Sequence, residues 1–183
     1  MGQLSARLAS QNEHKLREWR IALPEWKLEL LDVDGYPAET GATYYENARE
    51  KALHGFANGG GWVVGEDSGI EVVALDGRPG IASARWAADG VSEILRMLGD
   101  DDARRARYVC EAVAISPDGT EHRGTGVLEG TIARQPRGDE GFGYDPIFVP
   151  DGETRTVAEL GDAWKSTRSH RARAARALAD AIG

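Results

Sequence analysis

Cysteine is nearly absent from this sequence. Cys110 stands alone, so no internal disulfide can form and nothing calls for an oxidising compartment. Long apolar runs are missing as well. None approaches the ~20 residues that a membrane helix needs, and the N-terminus, Met1-Gly2-Gln3-Leu4-Ser5-Ala6-Arg7, has no apolar signal-peptide core. Ala6 stands where a myristoylation signal after Gly2 needs Ser or Thr. The expected location is cytoplasmic, with no membrane partner. Positive charge is in deficit: 22 Lys and Arg against 30 Asp and Glu leave a formal charge of -8. Such a surface repels phosphate polymers at long range, so nucleic acid polymers are not expected partners. A phosphate ligand must instead meet a local cluster of cations, helped by a metal.

Other signatures are also lacking. His14, His54, His122 and His170 show no metal-ligand spacing with one another or with Cys110. Gly124-Thr125-Gly126 lacks the dinucleotide pattern, and Cys110 reads as core. No repeat, low-complexity tract or linker interrupts the 183 residues, of which 41% are hydrophobic and 28% charged. That balance predicts one domain over 1–183, undivided or in two lobes.

What is present alternates between two periods. Strand patterns are expected at 4–9, around Trp26, Leu28 and Leu30, at 62–65 and 70–75, at 107–115 and 126–132, and at 146–149. Helices are expected at 13–22, where Leu16 and Trp19 recur and Pro24 follows, from Thr43 to the Gly59-Gly60-Gly61 stop, at 91–98, and at the C-terminus through Ala172, Ala175 and Leu178. Interleaved helices and strands predict an α/β fold.

Four segments carry chemistry. Glu66-Asp67, read as the end of an apolar strand, and Glu46, at a helix start, form a candidate hard-oxygen site suited to Mg2+. Equally, Glu46 caps its helix and Asp67-Ser68-Gly69 is an Asx-type turn. Lys165, Arg168, His170 and Arg171 gather at the expected N-terminal end of the last helix, either a phosphate site or a solvated basic face. Ser10-Gln11-Asn12 with Lys15 is a strand-to-helix turn that presents amides and an ammonium to phosphate, without P-loop glycines. Gly141-Phe142-Gly143-Tyr144-Asp145-Pro146 sets two aromatics and a carboxylate in a glycine-flanked loop, for base stacking or for core packing.

Taken in order, these segments resemble the Ham1 (inosine triphosphatase) family. Ser10-Gln11-Asn12-Glu13-His14-Lys15 resembles its Thr-Gly-Asn-x-x-Lys, and Glu39-Thr40-Gly41-Ala42-Thr43-Tyr44-Tyr45-Glu46-Asn47-Ala48 its Glu-Thr-Gly-x-Thr-Phe-x-Glu-Asn-Ala. Glu66-Asp67-Ser68-Gly69 is similar to Asp-Asp-Ser-Gly, and Pro79-Gly80-Ile81-Ala82-Ser83-Ala84-Arg85 to Pro-Gly-x-x-Ser-Ala-Arg. The Gly141–Phe148 stretch, Ala158-Glu159-Leu160, Lys165 and Ser169-His170-Arg171 complete the set. Ser10-Gln11 in place of Thr-Gly, Glu66 in place of Asp and a short stretch at 87–98 are departures from the pattern.

The resemblance implies an elongated mixed β-sheet with flanking helices in two lobes and a cleft between them, in a homodimer. It implies Mg2+-dependent hydrolysis of ITP, dITP or XTP to monophosphate and pyrophosphate, cleansing the nucleotide pool. Asp67 is implied as general base and metal ligand, Glu46 as second ligand, and Glu66 as a catalytic helper. Ser10, Asn12, Lys15 and Ser68 would hold the triphosphate. Phe142 would stack on the purine, Gly143, Tyr144 and Asp145 would shape the base pocket, and Lys165, His170 and Arg171 would contact phosphate and base edge. A Maf-like pyrimidine triphosphate pyrophosphatase and a nucleotide-binding regulator without catalysis are the alternatives.

Overall fold

The computed structural model describes residues 4–33 and 35–183; Met1, Gly2 and Gln3, which enter the reading of the N-terminus, lie outside the described residues. The elements run β1 (Ser5–Leu8), α1 (Glu13–Ala22), β2 (Lys27–Leu30), α2 (Tyr44–Gly59), β3 (Trp62–Val72), α3 (Gly90–Leu98), β4 (Arg105–Ile115), β5 (Glu121–Ile132), β6 (Phe148–Pro150), α4 (Val157–Arg168) and α5 (His170–Ile182). One mixed six-stranded sheet has the order β2-β1-β3-β4-β5-β6. β1 is parallel to both β2 and β3, and the remaining pairs are antiparallel. The α/β reading holds.

Local chemistry sets the helix ends. Asn12 accepts the amides of His14 and Lys15 to start α1. Thr43 and Glu46 form a reciprocal capping box on α2, as the spacing predicts. A second capping box, Thr156 with Glu159, starts α4, a helix that the sequence reading passed over although the same spacing is printed there. Lys165 and Arg168 therefore belong to the end of α4. Only His170 and Arg171 lie in the first turn of α5, because Ser169 is extended (φ -64, ψ 164) and caps it.

The strand expected to stop at Glu66 does not stop. β3 runs through Glu66-Asp67-Ser68-Gly69 without a break, in register with Ala112, Glu111, Cys110 and Val109 of β4. The polar residues are tolerated mid-strand because helices on both sides supply partners. The strand expected at 146–149 is also displaced, since pairing with β5 begins only at Phe148.

Alternation along β3 and β4 separates two layers. Val113 and Ile115 pack with Ala48 and Ala52 of α2 on one face. Val64, Cys110, Ala112 and Ala114 pack with Trp19 of α1 and with Ala174, Ala175 and Leu178 of α5 on the other. Further along the same strands, Ile70, Val72 and Tyr108 join a second core with Ile94, Ile147 and Phe148. β1 pairs with β3 only as far as Val64, and Pro79 bridges the same edge at Glu71, so the edge of β3 is bare of strand partners between those points. The chain leaves β1 toward α1 on one face and reaches β3 through α2 on the other. That is a switch point of the kind where α/β sheets bind ligands.

Close backbone approach holds two helices on the sheet. A Cβ at Gly65 would meet the Ala48 carbonyl oxygen at 2.1 Å, and one at Gly126 would meet the His170 carbonyl oxygen at 1.9 Å. Gly126→Ala must push α5 off β5. We expect a loss of about 2–3 kcal/mol of stability, read as a fall in Tm by thermal denaturation; an unchanged Tm contradicts this packing.

Candidate active site

The bare edge of β3 opens into a cavity of about 210 Å3. Because the edge is uncovered, residues from both faces of β3 reach it: Asp67 from the α2 side, Ser68 from the α5 side. Asn12 and Lys15 come from the start of α1, Phe142, Gly143, Tyr144 and Asp145 from the glycine-flanked loop, and Lys165, His170 and Arg171 from α4 and α5. Eleven residues singled out in the sequence thus share one cavity.

Three others do not line it. Ser10 stands one step back, its hydroxyl accepting the Asn12 amide at 3.1 Å and shaping the turn. Glu46 turns its carboxylate to its own helix start, accepting from the Ala42 amide at 2.5 Å and the Thr43 amide at 3.2 Å. Glu66 points away from Asp67, to the opposite face of the sheet, because adjacent strand residues alternate. It lies fully inside, receiving Arg171 Nε at 2.6 Å, Lys15 Nζ at 2.5 Å and Trp19 Nε1 at 3.3 Å. The two adjacent carboxylates do not form one oxygen site. Burial opposes ionisation of Glu66, yet Arg171 and Lys15 hold its carboxyl well below the usual range.

Asp67 has a different setting. Its Oδ2 accepts from Asn47 Nδ2 at 2.9 Å, and Oδ1 lies 3.6 Å from Lys51 Nζ. Burial pushes its carboxyl above the ordinary value, against the pull of Lys51 and Asn47. Lys51 also donates to the Glu66 carbonyl at 3.0 Å, a β3 oxygen that no strand covers, and bonds to Glu39. Glu39 lines the cavity and takes Arg85 on its other oxygen at 2.7 Å. Burial works to raise the Glu39 carboxyl, but Lys51, Lys15 and Arg85 keep it below its usual value. Glu39 and Lys51 went unassigned in the sequence, although Glu39 opens the quoted motif.

Tyr108 was missed too. It lines the cavity, stacks on His170 at 4.4 Å and 6°, and donates to Asp145 Oδ1 at 3.2 Å. Asp145 also accepts from the Phe142 amide at 2.8 Å and from Lys165 Nζ at 2.5 Å. Lys165 and Arg171 in turn share Glu18 of α1, at 2.9 and 2.8 Å. Arg171 donates to Ser68 Oγ at 2.9 Å. Lys165 Nζ sits 4.0 Å from the centre of the Phe142 ring.

A cavity lined by carboxylates, cations and aromatic rings matches the resemblance read from the motifs, and the family model of the Ham1 family covers residues 6–181. The chain belongs to the Ham1 family. A dITP/XTP pyrophosphatase of Bdellovibrio bacteriovorus is 40% identical, over 96% of both chains. One from Mycobacterium tuberculosis is 43% identical over 96% of this chain and 93% of its own. The Ham1 protein of Staphylococcus aureus superposes with a TM-score of 0.85 at 34% identity, covering 97% of each chain. The departures from the Ham1 pattern leave that fold unchanged.

His170 offers a check on the site's burial. Burial, with Arg171 and Lys165 nearby, drives its imidazole well below the usual value, while Glu66 pulls weakly the other way. The folded state keeps it neutral, whereas the unfolded chain binds a proton below about pH 6.5. This group therefore stabilises the fold above that pH and loses the contribution as pH falls. Between pH 7.5 and 5.5 the parent should lose about 1 kcal/mol more than His170→Phe in urea unfolding; equal losses would show a solvated imidazole.

Proposed function

We propose that this chain is a nucleoside triphosphate pyrophosphatase that cleaves ITP, dITP and XTP to the monophosphate and pyrophosphate, with Mg2+ as cofactor. The carrying observation is the single cavity lined by Glu39, Asp67 and Lys15 together with Phe142, Lys165 and Arg171. The relatives' activity as dITP/XTP pyrophosphatases supports the same reading. We further propose that residues 1–183 act as one unit in a cytoplasmic homodimer, as the family resemblance implies. Among the described residues, no helix is long and apolar enough to cross a membrane.

The donor set fits magnesium. Glu39 and Asp67 bring two carboxylates, hard oxygen donors, to the lining of one cavity, with Lys51 beside both. Magnesium favours such a site, because it keeps waters and takes further ligands from substrate phosphates. We assign Glu39 and Asp67 to hold it, because both line the cavity and Glu46 does not. Held there, magnesium would supply positive charge to offset the negative charge that builds during phosphoryl transfer.

The chain's own groups do the rest. Asp67 orients and deprotonates the water that attacks the α-phosphorus, and its raised proton affinity suits a base. Asn47 and Lys51 fix its two oxygens. Asn12, Lys15 and Ser68 hold the triphosphate, with Ser10 shaping the turn and Glu66 keeping Lys15 and Arg171 in place. Phe142 stacks on the purine, and Gly143, Tyr144 and Asp145 frame it. His170, Lys165 and Arg171 serve the base edge. A buried donor at O6 accepts hypoxanthine or xanthine; adenine would set its own amine against that donor, an unpaired arrangement that discriminates strongly.

Pyrophosphate release from ITP, XTP, GTP, ATP and UTP, with magnesium and with chelator, tests this reading. ITP and XTP should be hydrolysed well above the other three and only with the metal. Asp67→Asn should lower kcat for ITP by about 100-fold or more. A folded protein silent across the panel would falsify the proposal, and UTP in first place would move it to the Maf-like class.

A further inference from the structure

The helix α4 is broken inside. Gly161 holds φ 83 and ψ 172, far from helical values, so α4 consists of two helical pieces, 157–160 and 162–168. That backbone region is open in practice only to glycine. A side chain would also crowd a neighbour, since a Cβ at Gly161 would meet the Glu140 carboxylate oxygens at 3.0 and 3.2 Å. The second piece starts with amides that have no helical carbonyl to bond, and Gly161 has no side-chain oxygen to receive them. Glu140 does so from 22 positions away, its Oε2 accepting the Asp162 amide at 3.0 Å. A carboxylate suits the positive end of a helix. Glu140 therefore caps from outside, where Ser, Thr, Asn or Asp ordinarily caps from within.

Both pieces of α4 grip the glycine-flanked loop and its approach, at different points. At the first, the Ala158 amide donates to the Asp145 carbonyl at 3.1 Å, and Thr156 Oγ1 donates to the Arg137 carbonyl at 2.7 Å. The second carries Lys165, whose Nζ lies 2.5 Å from Asp145 Oδ2 and 4.0 Å from the centre of the Phe142 ring. Arg17 of α1 pairs with the Asp162 side chain, but of these two links to Asp162 only Glu140 belongs to the approach to the loop.

We infer that Glu140 is a positioning residue: by capping the second piece of α4 at the Gly161 break, it sets Lys165 against Phe142 and Asp145. This rests on the pyrophosphatase reading above, in which those three residues bind the base, and adds a residue to it. Glu140 does not line the cavity, so its effect travels through residues 162–168. Neither Glu140 nor Gly161 belongs to the motifs that carry the Ham1 resemblance, which gives no role to either. Without the Glu140 carboxylate the Asp162 amide loses its partner, and the loop and residues 162–168 are free to shift against each other.

Parent, Glu140→Ala, Glu140→Gln and Gly161→Ala enzymes would be compared for KM and kcat with ITP and magnesium, for inhibition by inorganic tripolyphosphate, and for Tm. KM for ITP should rise about fivefold in Glu140→Ala, the scale of one lost helix cap, with kcat little changed. Glu140→Gln keeps an acceptor in place and should return KM close to the parent value. Gly161→Ala should raise KM as well, and adding Glu140→Ala to it should raise KM no further, because both act on one link. Tripolyphosphate, which has no base, should inhibit the parent and the Glu140 variants equally. A Glu140→Ala enzyme with lowered Tm and unchanged KM overturns the positioning role, and a Gln variant as poor as Ala overturns the cap. Tripolyphosphate inhibition lost in step with KM overturns the assignment to the base. If Gly161→Ala does not fold, the two Glu140 variants decide alone. A folded parent that neither hydrolyses nor binds ITP overturns the pyrophosphatase reading and this role together, whereas an active parent with an indifferent Glu140→Ala removes the role alone.

Discussion

A chain of buried ion pairs holds this molecule's working parts together. Lys15 bonds Glu66, Glu66 bonds Arg171, Arg171 bonds Glu18, Glu18 bonds Lys165, and Lys165 bonds Asp145. Six charges thereby join α1, β3, α4, α5 and the glycine-flanked loop. Desolvating such groups is expensive, and a buried pair is weak support for stability by itself. What it provides here is mutual placement: each cation facing the cavity is fixed by a carboxylate behind it. Removing one member strands its neighbour as an unpaired buried charge, typically a loss of about 3–5 kcal/mol. The cavity keeps its cations in position because the charges behind them have nowhere else to go.

Much of this was legible in the sequence where the signal is local. The 3.6-residue period of α1, the capping box at Thr43 and the glycine stop after Gly59 depend on neighbours in the chain, and all stand where expected. The resemblance gave roles to eleven residues that do share a cavity. What was not legible depends on partners distant in sequence. Glu66-Asp67 resembles a strand end because two acids rarely sit inside a buried strand. Partners brought from elsewhere, Arg171 from 105 positions away and Lys15 for Glu66, Asn47 and Lys51 of α2 for Asp67, make it tolerable. Glu46 and Glu39 were indistinguishable as carboxylates until capping claimed one and the cavity received the other. Tyr108 reads as a strand hydrophobe until His170 is seen stacked on it. The α4 box at Thr156 is the exception, a local signal that was simply overlooked.

The substitutions relative to the family pattern have visible physical settings. Glu66, one methylene longer than aspartate, spans from β3 to both Lys15 and Arg171. Ser10 supplies a hydroxyl that receives the Asn12 amide, so the turn is shaped by a side chain. The stretch read as short, 87–98, forms α3 with a good cap, Asp89 accepting the Ser92 amide at 3.0 Å.

The alternation of β3 has a consequence for how the sequence can change. The site depends on parity: even-numbered Glu66 and Ser68 look toward α1 and α5, and odd-numbered Asp67 looks toward α2. A deletion or insertion of one residue between Trp62 and Glu66 would exchange these faces, turning the structural acid toward α2 and the titratable one toward Arg171 and Lys15. Length can drift in the loops that flank the sheet, but within β3 this enzyme has a reading frame of two.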